Sequence, residues 1–346
     1  MKMLGAKGVV PGAPPPDALT VIVGLSLSDD EKVAEAARGT LEKPPRPLLE
    51  GALGGTLQRL VLLALAEHHG QDRLLLPRLL QQEALDQDIL CSLASSADEA
   101  CGELIATNEA LLLRFPGAIE SLYMNKQVRM STSDRLIELA VRNEIELDFP
   151  AFKLAAQAIL QQLIPEPTEE PTFDDEQFKE TERQAAQLSQ LAADADVCER
   201  DDEGEERIVE QIVPLYKQLQ DSSITQRIRR AMLGNSTERL LLVRDTNRLV
   251  AEAAARSPRM TENDAARIAM SRAVSDEVLR IVANNRELTR SYQVKLNLVA
   301  NPRTPLTFSS RLLPHLRQTD LRALAKSKNV PGAVQKAARN QLSRRK

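Results

Sequence analysis

The feature that most restricts this fold is a series of short apolar segments, each opened by a helix-start signal and each too brief to stand alone. Ser275 precedes Asp276 and Glu277, so a hydroxyl cap and two carboxylates face the free N–H groups of a helix beginning there. Thr261 and Asp264 have capping-box spacing. Thr304 stands before Pro305, whose missing N–H is one that a helix start does not use. Behind these starts Val278, Leu279 and Val282, and later Leu321, Leu324 and Ala325, recur at helical spacing. Helices of about ten residues are marginal in water. Such segments must bury their apolar stripes on one another, which is the logic of a solenoid.

Composition points the same way. Leu and Ala dominate, aromatic residues make up 3% and Trp is absent, so the β-branched and aromatic side chains that suit strands are scarce. The expected class is all-α. The strongest apolar run, residues 60–66, is far short of the roughly 20 residues that a bilayer needs. Lys2 and Lys7 imitate the basic start of a signal peptide, but Pro11, Pro14, Pro15 and Pro16 break the apolar stretch behind them. Residues 1–18 are therefore expected to be a flexible lead-in, and the default address is the cytoplasm. Cys91, Cys101 and Cys198 are odd in number and form no disulfide framework. They are expected to be reduced thiols, the first two on helices and Cys198 in a polar linker.

Charge divides the chain. The net of −4 conceals −7 over residues 1–164, −13 over 165–206 and +16 over 207–346. The middle block opens with Pro165, Glu166 and Pro167 and closes with Asp201, Asp202 and Glu203. Like charges repel and little is available to bury, which predicts a largely disordered linker with at most a transient helix over 177–193. The expected organisation is an N-terminal helical-repeat lobe at 19–164, the acidic linker at 165–206 and a basic helical-repeat lobe at 207–346.

The two lobes carry matching residues. At an offset of 176, Asn125 matches Asn301, Ser133 matches Ser309, Arg135 matches Arg311 and Leu136 matches Leu312. After a one-residue slip, Ala106 and Asn108 stand opposite Ala283 and Asn285. A shorter repeat sets Ser257, Pro258 and Arg259 against Asn301, Pro302 and Arg303, 44 residues later. Asn125 and Asn301 fall where one helix ends before the next begins, where a side-chain amide satisfies free backbone groups. Arg135 and Arg311 are expected to buttress the fold from equivalent helices.

Leu233-Gly234-Asn235, the run from Arg244 to Val250, the run from Val274 to Arg280 and the stretch from Asn301 to Leu306 resemble a bacterial family of uncharacterised α-helical repeat proteins. That family is similar to HEAT repeats and to the leucine-rich-repeat variant. The likeness is strongest over residues 224–343 and weaker over 75–160. It implies a helical-repeat fold, and because that family has no established activity there are no catalytic residues to carry over. Some leucine-rich-repeat-variant proteins hold an iron–sulfur cluster on grouped cysteines, and this chain lacks that grouping, so no metal site is implied.

No catalytic, cofactor or metal motif is legible. His68 and His69 are adjacent and point about 100° apart on a helix, which does not favour joint chelation, and His315 is remote in sequence. The run from Gly51 to Gly55 lacks the Lys-Ser/Thr of a phosphate loop. The basic block is the remaining signal. Arg227, Arg229 and Arg230 cluster at its start, and Lys326, Lys328, Lys336 and Arg339 cluster near its end, before Arg344, Arg345 and Lys346. These residues form the candidate binding surface, suited to an acidic protein or a phosphate backbone. Tyr216, Tyr292 and Phe308 are its only aromatics, which leaves little for base stacking. The expected function is a non-catalytic scaffold or adaptor for a protein partner. The alternatives are nucleic-acid backbone binding through the basic lobe and, less favoured, an enzyme whose site is not recognisable from sequence.

Overall fold

The structure is a computed structural model describing residues 2–160, 168, 170–191, 197–200, 206–327 and 329–344. Helix accounts for 69% of it, in 23 α-helices, and the described sheet is one antiparallel ribbon pairing Cys198–Arg200 with Glu206–Ile208, so the class is all-α. The chain divides into two units, Met1–Asp148 and Phe149–Lys346.

The first unit opens differently from expectation. Lys2–Ala6 is helical and packs on the helices Pro15–Ser26 and Glu31–Glu42. Ala6 is fully buried, and the Thr40 hydroxyl donates to its carbonyl at 2.7 Å. The prolines that interrupt the apolar stretch start the next helix instead, at positions where their missing N–H is harmless. Leu19, Ile22 and Ala37 form the core of this cluster.

The rest of the first unit alternates between two rows. Arg59–His69 packs on Gln87–Ser96, which packs on Gly117–Tyr123. Between them, Leu76–Leu80 packs on Glu99–Ala106, which packs on Met130–Arg142. Glu109–Arg114 is a short connecting helix. Each helix thus buries its stripe against the next but one, as segments too short to be stable alone require.

The second unit repeats the first of these rows and part of the second. Ser236–Leu242 packs on Glu262–Met270, which packs on Tyr292–Ala300. Arg248–Ala255 packs on Asp276–Asn284, and Leu306–Leu312 packs on Tyr292–Ala300. A 3-10 turn, Leu288–Arg290, stands where the first unit has Glu109–Arg114. Adding 176 to the helix starts at 59, 87, 99, 117 and 130 lands within one residue of those at 236, 262, 276, 292 and 306. Gln318–Lys326 and Gly332–Arg344 pack together at the C-terminal end.

The helix-start signals at Thr261 and Ser275 hold in detail, whereas the one at Thr304 does not: Pro305 itself stands at the N-cap of Leu306–Leu312, and the buried Thr304 hydroxyl caps no helix among the described residues. Thr261 and Asp264 form a reciprocal capping box, and the Ser275 hydroxyl accepts from the Val278 N–H. Asn108 and Asn285 both cap: each side-chain oxygen accepts a backbone N–H three residues on. Asn125 and Asn301 are buried and staple helix ends. The Asn125 amide donates to Ala94 O at 2.9 Å and Ala97 O at 2.8 Å, and the Asn301 amide donates to Ala269 O at 2.8 Å and Ser271 O at 2.7 Å. Ser257 does part of the same work, donating to Met232 O at 3.5 Å, while Arg259 reaches Leu233 O as Arg303 reaches Val274 O. Arg135 and Arg311 are buttresses of different chemistry, the first bound to the Glu103 carboxylate and the second to the Ala283 carbonyl.

The block between the expected lobes also departs from its reading as a disordered linker. Phe152–Ile159 falls in the second unit, packing on Ile224–Leu233 and Arg248–Ala255, so the division lies at 148 rather than 164. Its stripe of Phe152, Ala155, Ala158 and Ile159 needs that cover. Phe173–Leu191 is a helix packed on Val213–Asp221 and Ser236–Leu242. Asp174, Asp175 and Glu176 in its first turn complement the helix dipole, and Phe178 and Ala185 give it a buried edge. Residues 165–167, 169, 192–196 and 201–205 of the expected linker, and 161–164 before it, lie outside the described residues.

Candidate functional site

The residue cluster with the most chemistry lies at the start of the basic block. Ile224–Leu233 is capped by Ser223 and presents Ile228, Ala231, Met232 and Leu233 to the core. Its three arginines do not form an exposed patch. Arg229 is fully buried and Arg230 is 2% exposed, while Arg227 is half-buried against Asp245 at 2.8 Å. The expectation of a cationic surface here is corrected: these guanidiniums are held by carboxylates and an aromatic ring. A run of basic residues in sequence gives no sign of which acidic neighbours the fold will supply.

Glu238 and Asp264 anchor the cluster, each in a double role. Glu238 completes a capping box with Asn235 and binds Arg230, whose Nε lies 2.7 Å from Oε1. Asp264 completes the box with Thr261 and binds Arg239 at 2.7 Å, with the Ser236 hydroxyl on its other oxygen. Burial pushes the Asp264 carboxyl up. The Ser236 hydroxyl, the Arg239 guanidinium and the Thr261 N–H together outweigh that effect and hold it below the ordinary carboxylate value. Gly234 is required between these groups: a Cβ there would lie 2.5 Å from Arg230 O and 2.7 Å from Glu238 Oε2.

The acidic segment closes over this cluster. The Phe178 ring lies 5.0 Å from the Arg229 guanidinium carbon and 4.9 Å from that of Arg230. Glu182, one turn on, is 3.8 Å from Arg230. Gln226 donates to Asp174 O at 3.2 Å, and Asn235 donates to Ala185 O at 2.8 Å. Burial raises the Asp174 carboxyl above its ordinary value; Asp175 adds to the effect and Gln226 opposes it. Farther along, Glu206 accepts from the Arg272 N–H at 2.8 Å and from the Ser271 hydroxyl, and lies 3.5 Å from Arg244. Opposite charges in the sequence are thus spent on each other within this unit.

Of the second predicted cluster, Lys326, Lys336 and Arg339 are exposed, and Arg339 also donates to Ala325 O at 3.2 Å. Lys328, Arg345 and Lys346 lie outside the described residues. The structure does not bring the two predicted clusters into one patch: the first is internal and the second is on the surface. A groove of about 380 Å³, not foreseen from sequence, runs beside the Asn301 staple and is lined by Met270, Arg272, Leu296, Asn297, Asp320 and Ala323, among others. Its residues come from separate helices, so no local motif announces it.

Among the described residues, no group of three or more His, Cys, Asp or Glu gathers as a metal ion would require, and no helix is long and apolar enough to cross a membrane. The rings of His68 and His69 diverge, with centroids 6.4 Å apart, and His69 is engaged with Leu41 O at 2.8 Å. Burial raises the Cys101 thiol to about 11, with Asp98 adding to the effect. No family model matches the chain, and no match is found among curated proteins or solved structures.

Proposed function

We propose that this chain is a non-catalytic scaffold, a HEAT-like helical-repeat solenoid in two lobes, whose work is to bind a protein partner in the cytoplasm. The observation that carries this reading is the recurrence of one helix series in both units, with five of its six helix starts at a common offset and the sixth, Leu76 against Arg248, four residues off it. Stacked short helices present a long surface built from many small edges, which suits another polypeptide. The likeness to HEAT and leucine-rich-repeat-variant sequences supports the same reading, and so does the groove beside Asn301. The matching positions of Asn125 and Asn301 further support descent of the two series from one duplicated unit.

A protein is favoured over a nucleic acid because Arg227, Arg229 and Arg230 are engaged internally and so are withdrawn from phosphate binding. The exposed Lys326, Lys336 and Arg339 favour backbone binding as the second reading. A mobility-shift titration with nonspecific duplex DNA at two salt concentrations separates the two. The protein reading expects weak binding that vanishes by about 0.2 M salt. Binding that persists at that salt, and is lost when Lys326, Lys336 and Arg339 are changed to Gln, favours the nucleic-acid reading.

A further inference from the structure

The arginines that look like a binding surface in the sequence are covered by a helix of opposite charge. We propose that the face carrying Arg229 and Arg230 is a docking site for an acidic helix bearing an aromatic residue, occupied in cis by Phe173–Leu191 and taken by a protein partner through displacement of that helix. The proposal rests on the protein-partner reading.

Four grips hold the cis helix, spaced along one face: the Asp174 carbonyl on Gln226, the Phe178 ring on both arginines, the Glu182 carboxylate on Arg230 and the Ala185 carbonyl on Asn235. Two of the four are backbone carbonyls, which any helix supplies. The other two define the partner's chemistry, an aromatic ring followed four residues later by a carboxylate. That spacing places both side chains on one helical face.

The cis helix is built for release. Phe178 and Ala185 are its only described apolar residues that are buried, with the polar Asp175 and Thr181 beside them, and Phe173 at its start is 77% exposed. The helix beneath is different, with Ile228, Ala231, Met232 and Leu233 all at 0% exposure. Arg230 keeps Glu238 within its own framework when the acidic helix leaves, and guanidiniums tolerate water, so the vacated face remains intact. Five carboxylates against Lys179 and Arg183 give the segment its net negative charge. Tethering holds it near the arginines at an effective concentration on the order of millimolar, which sets the threshold a partner must exceed.

The test uses the full chain and a fluorescent synthetic peptide spanning residues 171–192. Binding is read by anisotropy to the natural chain and to a chain loosened by Phe178→Ala and Glu182→Gln. A second peptide carries the same two substitutions. The unsubstituted peptide is expected to bind the loosened chain at least about tenfold more tightly than the natural one, with the gain shrinking at high salt. The substituted peptide is expected to bind neither chain. Equal binding to both chains, or equal binding of both peptides, overturns the proposal. Hydrogen exchange on the natural chain provides a measurement independent of variant folding. Amides of Phe173–Leu191 are expected to exchange faster than those of Ile224–Leu233, and equal protection makes the helix a fixed part of the core and the proposal wrong. No partner enters either measurement, so this proposal and the scaffold reading fail separately.

Discussion

Asn125 and Asn301, 176 residues apart, make the same three hydrogen bonds: two amide donations to the carbonyls that end an earlier helix, and one acceptance from the N–H two residues on. Both are buried, so neither carbonyl pair has water as a ready substitute. Asn301→Ala is expected to destabilise the chain by about 1–3 kcal/mol, and Asn125→Ala by a similar amount. Asn301→Asp is expected to be worse, since it turns an acceptor toward two carbonyls. Ser257→Ala is expected to do less, because its bond to Met232 O is long at 3.5 Å. Denaturant unfolding of the four variants checks the order; a harmless Asn301→Ala would deny the staple its structural role.

The buried pair of Arg239 and Asp264 gives a second expectation. Their side chains are 5% and 3% exposed, so removing either charge strands the other away from water. Asp264→Ala is expected to lower stability by about 3–5 kcal/mol. Arg239→Met in that background is expected to recover part of the loss, because the stranded cation is gone. A double-mutant cycle that returns no coupling would contradict this.

Acid should act through the same residue. Asp264 is held below its ordinary value, so it binds fewer protons folded than unfolded across the acid range. Its contribution is complete above the unfolded value of about 3.9 and is lost as pH falls through the folded one. Asp86, held down first by the Ile89 N–H and then by Arg59, and Asp98, held down first by the Cys101 N–H, act with the same sign. Stability measured from pH 6 down to pH 2 should therefore fall, and Asp264→Asn should flatten part of that fall. An unchanged acid limb in Asp264→Asn would exclude the residue as a contributor.

Thiol reactivity probes the first unit. With its thiol raised to about 11 and its side chain fully buried, Cys101 has about one thousandth of its population as thiolate at pH 8. Ellman's reagent on the native chain is expected to leave Cys101 unmodified, and all three cysteines should react after unfolding. Rapid modification of Cys101 in the native chain would mean that Glu99–Ala106 is not packed as described.

Much of this was legible in the residues, and the remainder has definite physical reasons. Thr261 with Asp264, and Ser275, announced helix starts because capping depends on neighbours in sequence. Asn125 and Asn301 announced a staple because a short amide between helices has few other uses. Arg229 and Arg230 misled, because their burial depends on Phe178, some fifty residues away, and distant pairing leaves no local mark. The acidic segment misled for the same reason: judged alone it repels itself, but Arg230, Gln226 and Asn235 supply what it lacks. Lys2–Ala6 was hidden by prolines that serve as a helix start.

The scaffold reading is tested most directly by capturing partners from native lysate on the immobilised full chain, with and without prior nuclease treatment, and quantifying the bound material. A protein recovered in stoichiometric amount, at the same yield after nuclease, is the predicted result. Recovery of nucleic acid with proteins that disappear after nuclease, or the absence of any stoichiometric protein, would contradict the account.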